Sequence, residues 1–160
     1  MNELSPVRSW SALIGFIGAS FVAGAIGSWA TFPHVRNWYP LLNKPAWNPP
    51  SALFAPVWTT LYVLMGIAIW RAWRTQSPAA PRLIRFYFVQ LVLNAAWSVI
   101  FFALKQPAWA LVDILALWGV LVWMQAGFWR TDRWAAALWM PYVLWVSFAT
   151  ALNAAIVRLN

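Results

Sequence analysis

Apolar residues fall into five long runs along this chain, and shorter polar stretches separate the runs. About 20 consecutive apolar residues in a helix cross the hydrocarbon core of a bilayer. The pattern therefore predicts an all-α membrane protein, in which residues 1–160 form a single bundle of five transmembrane helices. The predicted spans are about 11–31, 52–70, 84–104, 107–129 and 134–157.

The connections between the runs differ in length. Those on either side of the fourth run are only a few residues long, so the third, fourth and fifth helices are predicted to be antiparallel neighbours. The connection over residues 32–51 is much longer and contains WYPLLNKPAWNPP at residues 38–50. Its four prolines forbid a helix interior, and its aromatic residues are unusual for a solvated loop. We predict a rigid aromatic lid at one mouth of the bundle.

Composition supports lipid as the solvent of this chain. Only 9% of its residues are charged and 63% are hydrophobic, whereas soluble chains carry about 25% charged residues. The net charge of +8 comes from Lys and Arg near the ends of the apolar runs, which is typical of topology signals and lipid anchors. Nucleic acid is therefore not an expected partner. The absence of cysteine excludes disulfides and thiol chemistry.

The basic residues also predict an orientation. Seven arginines fall on one side of the predicted bundle and four basic residues on the other, and the positive-inside rule places the richer side in the cytoplasm. The N-terminus is then cytoplasmic, and the lid and the C-terminus lie outside. The richer side carries Arg8, Arg71, Arg74, Arg82, Arg85, Arg130 and Arg133, and the other carries Arg36, Lys44, Lys105 and Arg158.

Two helices have faces of distinctive composition. In the first helix, small residues recur every four positions, and this pattern suits either packing within the monomer or a dimer contact. These residues are Ala19, Ala23 and Gly27, and Ser20, Gly24 and Ser28. In the third helix, one face is polar and aromatic, with Gln90, Asn94, Trp97, Ser98 and Phe101 at helical spacing. Polar groups at membrane depth usually face the interior, where they either bond other helices or contact a ligand.

Isolated titratable residues offer little conventional chemistry. Asp113 is the only acid inside a span, so it is a candidate for function, for capping or for pairing with Lys105. His34, the only histidine, could ligate a haem iron or simply be a solvated loop residue. No metal site, catalytic triad or nucleotide-binding motif is expected.

Tryptophan is the most unusual component, with fifteen copies. Several lie near the ends of the runs, as in the aromatic belts of membrane proteins. Trp58, Trp97 and Trp145 instead fall within the spans, where an indole N–H needs a partner. They either pack structurally or form an aromatic cage for a flat apolar ligand beneath the lid.

Three motifs together resemble a known family. The lid matches W-Y-x-x-L-x-K-P-x-W-x-P-P, the third helix carries N-x-x-W-S at 94–98, and the fifth helix carries P-Y-x-x-W-x-x-F-A-T-x-L-N at 141–153. With the tryptophan of the second helix, the chain resembles the translocator protein family. That family includes the tryptophan-rich sensory proteins of bacteria and the mitochondrial peripheral-type benzodiazepine receptor.

The resemblance implies a five-helix bundle, commonly a homodimer, in a bacterial cell membrane. It also implies a receptor or sensor that binds porphyrins of the protoporphyrin type and isoquinoline or benzodiazepine-like drugs. Porphyrin would then be a ligand of the protein, and no cofactor is expected to be required. The pocket would lie between the lid and the upper ends of the helices. By position, its residues would be Tyr39, Trp47, Pro49, Trp58, Tyr62, Asn94, Trp97, Trp145 and Ala149.

Three functions remain open: a sensor in tetrapyrrole regulation, an enzyme that degrades porphyrin in light, and a transporter of tetrapyrroles or sterols. For the enzyme, Trp58 and Trp145 would take part in the photochemistry. Five unrepeated spans are unlike the paired repeats of many transporters. The tyrosine of the animal sterol motif is missing before Arg158, which weakens the case for sterol. Arg36 and Lys44 are expected to attract porphyrin carboxylates.

Overall fold

The computed structural model describes residues 5–160, which form five long helices and no strand. All five are long and apolar enough to cross a membrane, so the predicted all-α membrane fold is confirmed. The helices are α1 (Pro6–Val35), α2 (Phe54–Arg74), α3 (Ala80–Ser98), α4 (Pro107–Thr131) and α5 (Arg133–Leu159).

The first helix is longer than its predicted span at both ends. It begins at Pro6, after Ser5, whose side chain accepts a hydrogen bond from the Arg8 N–H. Its 30 residues correspond to about 45 Å, well beyond a hydrocarbon core of about 30 Å. Because α1 continues to Val35, the predicted loop start at residue 32 was too early, and residues 36–50 connect α1 to the short 3₁₀ turn before α2.

The helices are arranged around the bundle in the order α1, α2, α5, α4, α3, with α3 returning to α1. Helix α4 packs between α3 and α5, as their short connections predicted. The centre is filled by large buried side chains, among them Met65, Tyr87, Leu121 and Trp139. The Tyr87 hydroxyl also donates to the Phe16 carbonyl over 2.6 Å and so ties α3 to α1.

The small residues of α1 pack inside the monomer. Ser20, Ala23, Gly24 and Gly27 are buried, and the Ser20 hydroxyl lies 2.7 Å from that of Tyr87. Gly24 lies directly against a tyrosine ring of α2, where a Cβ would collide. Of the two roles that the sequence left open for this face, close packing within the bundle is the one observed.

The end of α3 departs from α-helical geometry. Residues Val99–Ala103 form a π-helical turn, and the Leu104 N–H bonds the Val99 carbonyl over 2.9 Å. The wider turn places the adjacent Phe101 and Phe102 side chains both in buried positions. A tight reversal then leads into α4 through Lys105, whose φ of 56° lies in the left-handed region.

At the opposite end of the bundle, an ion pair joins α2 to the start of α5. The Arg71 guanidinium lies 2.9 Å from the Asp132 carboxylate, which also accepts the backbone N–H groups of Trp134 and Ala135 and so caps α5. Burial raises the pKa of the Asp132 carboxyl, but these N–H groups and Arg71 outweigh it and lower the pKa below its usual value.

We predict that Gly24→Ala destabilises the bundle, whereas Gly18→Ala does not. The new methyl group at residue 24 would meet the Tyr62 ring, which is buried, while nothing lies within 4 Å of a Cβ at Gly18. Overpacking of this kind costs about 1–3 kcal/mol. Thermal unfolding in one detergent should show a lower Tm for the first variant only. Equal melting temperatures would contradict the close approach of α1 to α2.

Candidate functional site

The lid is held in place by its own lysine. The Lys44 ammonium donates to the carbonyls of Tyr39, Pro40 and Leu42 over 2.8, 3.3 and 2.7 Å. It also lies 4.9 Å from the centre of the Tyr39 ring, where a cation–π interaction is favourable. An ammonium group has three N–H donors, and all three are used within the lid. Lys44 therefore stabilises the turn.

The lid packs down on the end of the bundle through its aromatic residues. Tyr39 is buried against Phe101 and Phe102, and Trp38 meets the same two rings edge-on. The Tyr39 hydroxyl donates to Asn48 Oδ1 over 2.8 Å, and burial raises the pKa of this hydroxyl. The buried rings explain why this segment is so apolar for a loop.

The lid is also bonded to the end of α5. The Asn43 backbone N–H donates to Asn160 Oδ1, and Asn160 Nδ2 donates back to the Asn43 carbonyl, each over 3.0 Å. The Asn43 side chain donates to the Leu159 carbonyl over 3.2 Å. These bonds and the buried rings hold the lid over the end of the helices.

Deeper in the bundle, a chain of hydrogen bonds joins α2, α3 and α5. The Tyr62 hydroxyl donates to Asn94 Oδ1 over 3.2 Å, and Asn94 Nδ2 donates to the Tyr142 oxygen over 3.0 Å. The Tyr142 hydroxyl donates in turn to Gln90 Oε1 over 2.9 Å. All four side chains are buried. The polar face predicted on α3 is thus engaged in interhelical bonds, the first of its two predicted roles.

Trp58 packs against two tyrosines of this hydrogen-bonded chain, Tyr62 and Tyr142. The two rings stack with their centres 5.4 Å apart and their planes at 29°, and Trp58 meets Tyr142 edge-on at 6.2 Å. One turn of α3 beyond Asn94, the Trp97 indole donates to Asn153 Oδ1 over 3.0 Å. Each of these two indoles is therefore oriented by a specific neighbour.

The remaining predicted site residues lie nearer the surface. Trp145 meets Phe54 and Phe148 at 5.9 and 5.6 Å, and the half-exposed Trp47 of the lid covers Phe148 at 5.7 Å. Ala149 packs partly buried against the core. Pro49 is half-buried, and its carbonyl accepts a bond from the Asn48 side chain.

An open groove lies on the outer face between α2 and α5. It has a volume of about 700 Å³, and Trp145 is the predicted site residue that lines it. The rest of its wall is almost wholly apolar: Leu53, Pro56, Val57, Thr60, Leu61, Leu64, Pro141, Leu144 and Phe148. The groove therefore suits an apolar molecule that arrives from the lipid phase.

The sequences of known proteins match this chain along almost its whole length. The model of the TspO/MBR family matches residues 16–159. The chain belongs to the TspO/MBR family. It is therefore an integral membrane protein with several spans, and the family resemblance inferred from the lid and helix motifs is confirmed.

Relatives in this family come from different kinds of organism. The chain is 40% identical over 149 residues to the Tryptophan-rich protein TspO of Chlorobaculum tepidum, covering 90% of this chain and 92% of the relative. It is 35% identical over 151 residues to the Tryptophan-rich sensory protein of Cereibacter sphaeroides, covering 94% and 92%. It is 35% identical over 156 residues to the human Translocator protein, covering 94% and 91%.

In this TspO/MBR family member, the pairing predicted for Asp113 and the loop position predicted for His34 are not observed. Asp113 makes no ion pair with Lys105, and the one ion pair among residues 5–160 joins Arg71 and Asp132. His34 lies in the last turn of α1 and not in the loop, and no group of three or more metal-ligating side chains occurs within the described part of the chain.

Two features of the site were not predicted from the sequence. Tyr142 was noted only as a motif residue, yet it is the link between Asn94 and Gln90. The spacing of Gln90 and Asn94 by one helical turn was the available signal that one partner could bond both. Lys44 was assigned only to ligand attraction, and its bonds to three carbonyls of the lid were not foreseen.

We predict that Lys44→Met loosens the lid while Arg36→Met does not. The first change removes three hydrogen bonds from a charged donor, each worth about 1.5–3 kcal/mol. Arg36 is exposed and only approaches the Phe32 ring at 5.8 Å. Proteinase K, which needs no basic residue, should cut the 36–50 segment about tenfold faster in the Lys44 variant. Similar cleavage of wild type and both variants would refute the clamp.

Proposed function

We propose that this protein is a membrane receptor that binds porphyrins of the protoporphyrin type, and isoquinoline or benzodiazepine-like ligands, beneath the lid. The observation that carries the proposal is the set of oriented aromatic rings below the lid. Trp58 is fixed by Tyr62 and Tyr142, and Trp97 is fixed by Asn153. The name of one relative, Tryptophan-rich sensory protein, favours a sensory role.

The chemistry of these residues suits a flat, largely apolar ring system. Indole and phenol faces stack on such a ligand, and each stacked pair contributes about 0.5–1.5 kcal/mol beyond the burial of area. Because hydrogen bonds already fix Tyr62 and Trp97, little side-chain entropy would be lost on binding. Because Lys44 already holds the lid in place, closing the pocket would also cost little conformational entropy of the lid.

Transport is the second candidate function. The groove between α2 and α5 faces outward, and Trp145 in its wall packs beside Phe148, which the lid residue Trp47 covers. A ligand dissolved in lipid could reach the site by that route, and one relative is named Translocator protein. Flux of porphyrin across vesicles that contain the protein would favour transport, and saturable binding without flux would favour the receptor.

We predict that Arg36→Gln weakens the binding of protoporphyrin but not of its dimethyl ester. The ester has the same ring without the two carboxylates, so it serves as the matched control ligand. An exposed ion pair is worth about 0.2–1 kcal/mol, which corresponds to a change of about 1.4- to fivefold in Kd. Quenching of tryptophan fluorescence measures both affinities, and the difference should disappear at high salt. An equal loss for both ligands would show that Arg36 does not recognise the carboxylates.

We also propose that the bound porphyrin is degraded in light, with dioxygen as the oxidant. The net reaction moves electrons from the porphyrin to dioxygen, and the indoles of Trp58 and Trp145 only relay them. The two residues lie on α2 and α5, which pack against each other. No other reductant or oxidant is needed.

We predict that the double variant Trp58→Phe and Trp145→Phe keeps most porphyrin binding but loses photodegradation. Phe preserves a stacking ring but is much harder to oxidise than indole. Absorbance of the illuminated complex should show new products for the wild type and for the control variant, but not for the double variant. The matched control is Trp134→Phe, since Trp134 is exposed at the far end of α5. Degradation at the wild-type rate in the folded double variant would end this idea.

A further inference from the structure

A second cavity lies on the lipid-facing side of the bundle, where the end of α3 meets the start of α4. Its volume is about 400 Å³. Its wall includes none of the residues assigned to the porphyrin site. The lining residues are Ile100, Leu104, Gln106, Trp109, Val112 and Asp113.

Asp113 is the unusual member of this wall. Its Oδ2 atom is buried and has no hydrogen-bond partner within residues 5–160, and the side chain forms no ion pair there. A carboxyl group without a partner is costly to bury, most of all beside hydrocarbon. The cavity therefore favours a molecule that brings a hydrogen-bond donor, and a positively charged donor above all.

Trp109 strengthens the preference for a cation. It lies one helical turn before Asp113 on the same face of α4 and lines the same cavity, with 67% of its surface exposed. An ammonium group interacts favourably with an indole face. A carboxylate and an indole four residues apart thus form a pair of groups that both attract an ammonium ion.

The depth of the cavity indicates where that ammonium comes from. Asp113 lies six residues beyond Pro107, about 9 Å along the axis of α4. The 25 residues of α4 span about 37 Å, more than a hydrocarbon core of about 30 Å. With α4 centred on that core, Asp113 consequently lies only about 5 Å inside the hydrocarbon boundary, within reach of a phospholipid head.

We propose that this cavity binds phosphatidylethanolamine, with its primary ammonium bonded to Asp113 and stacked on Trp109. The apolar wall, including Ile100 and Leu104, takes the upper part of an acyl chain. Lys105 is exposed and adjacent in the chain to Gln106, so it supplies a positive charge for the lipid phosphate. Phosphatidylcholine fits less well because its quaternary ammonium has no N–H to donate.

The test uses the purified full chain and a series of dioleoyl lipids in detergent. The lipids are phosphatidylethanolamine, its N-methyl and N,N-dimethyl derivatives, and phosphatidylcholine, so each methyl group removes one N–H donor. Native mass spectrometry of competing pairs measures the bound ratio. We expect phosphatidylethanolamine to exceed phosphatidylcholine by about threefold, the effect of losing a hydrogen bond of ordinary net strength, with the methylated lipids in order between them.

Asp113→Asn should abolish this preference while the protein keeps its Tm, since Oδ2 has no partner to lose. Asp132→Asn is the matched control, because it makes the same change at the other end of the bundle. It should keep the lipid preference although it loses the ion pair with Arg71. Equal binding of the lipids by wild type would overturn the proposal. So would an unchanged preference in the Asp113 variant, or an equal loss in both variants.

Discussion

Polar side chains within this bundle must find partners in the protein, because hydrocarbon offers none. The bonds that run from Tyr62 through Asn94 and Tyr142 to Gln90 meet most of this requirement for three helices at once, and leave only Gln90 Nε2 of this chain of bonds without a partner among residues 5–160. They fix the rotation of α2, α3 and α5 about their axes. The stacking of Trp58 on Tyr62 follows from that rotation, so the candidate site depends on a hydrogen-bond chain beneath it.

The same requirement explains the lid. Prolines have no N–H groups, so a proline-rich turn has more carbonyls than backbone donors to bond them. Lys44 supplies three donors to three of these carbonyls. A cation that looks like a ligand-binding residue in the sequence thus serves as an internal cap.

The sequence was sufficient to predict the helices, because runs of apolar residues have few other solutions in a bilayer. It was less informative about their ends. Hydropathy detects the part of α1 inside lipid, whereas the cap at Ser5 and the turn through Val35 lie outside that part. The spacing of Gln90 and Asn94 predicted a shared face but could not identify Tyr142, which is 52 residues from Gln90, as their partner. The direction in which Lys44 points depends on the turn that it closes, which no local pattern specifies.

The π-helical turn at Val99–Ala103 has an evolutionary consequence. Its bond from the Leu104 N–H to the Val99 carbonyl spans five residues instead of four, so the turn holds one residue more than an α-helical turn does. The helix can therefore absorb an inserted residue here without disturbing the face that carries Asn94. Removing that residue would restore regular geometry, in which neighbouring side chains point about 100° apart around the axis, so Phe101 and Phe102 could no longer both be buried against the ring of Tyr39. A homologous chain that is one residue shorter at this point would need a differently built contact between its lid and its third helix.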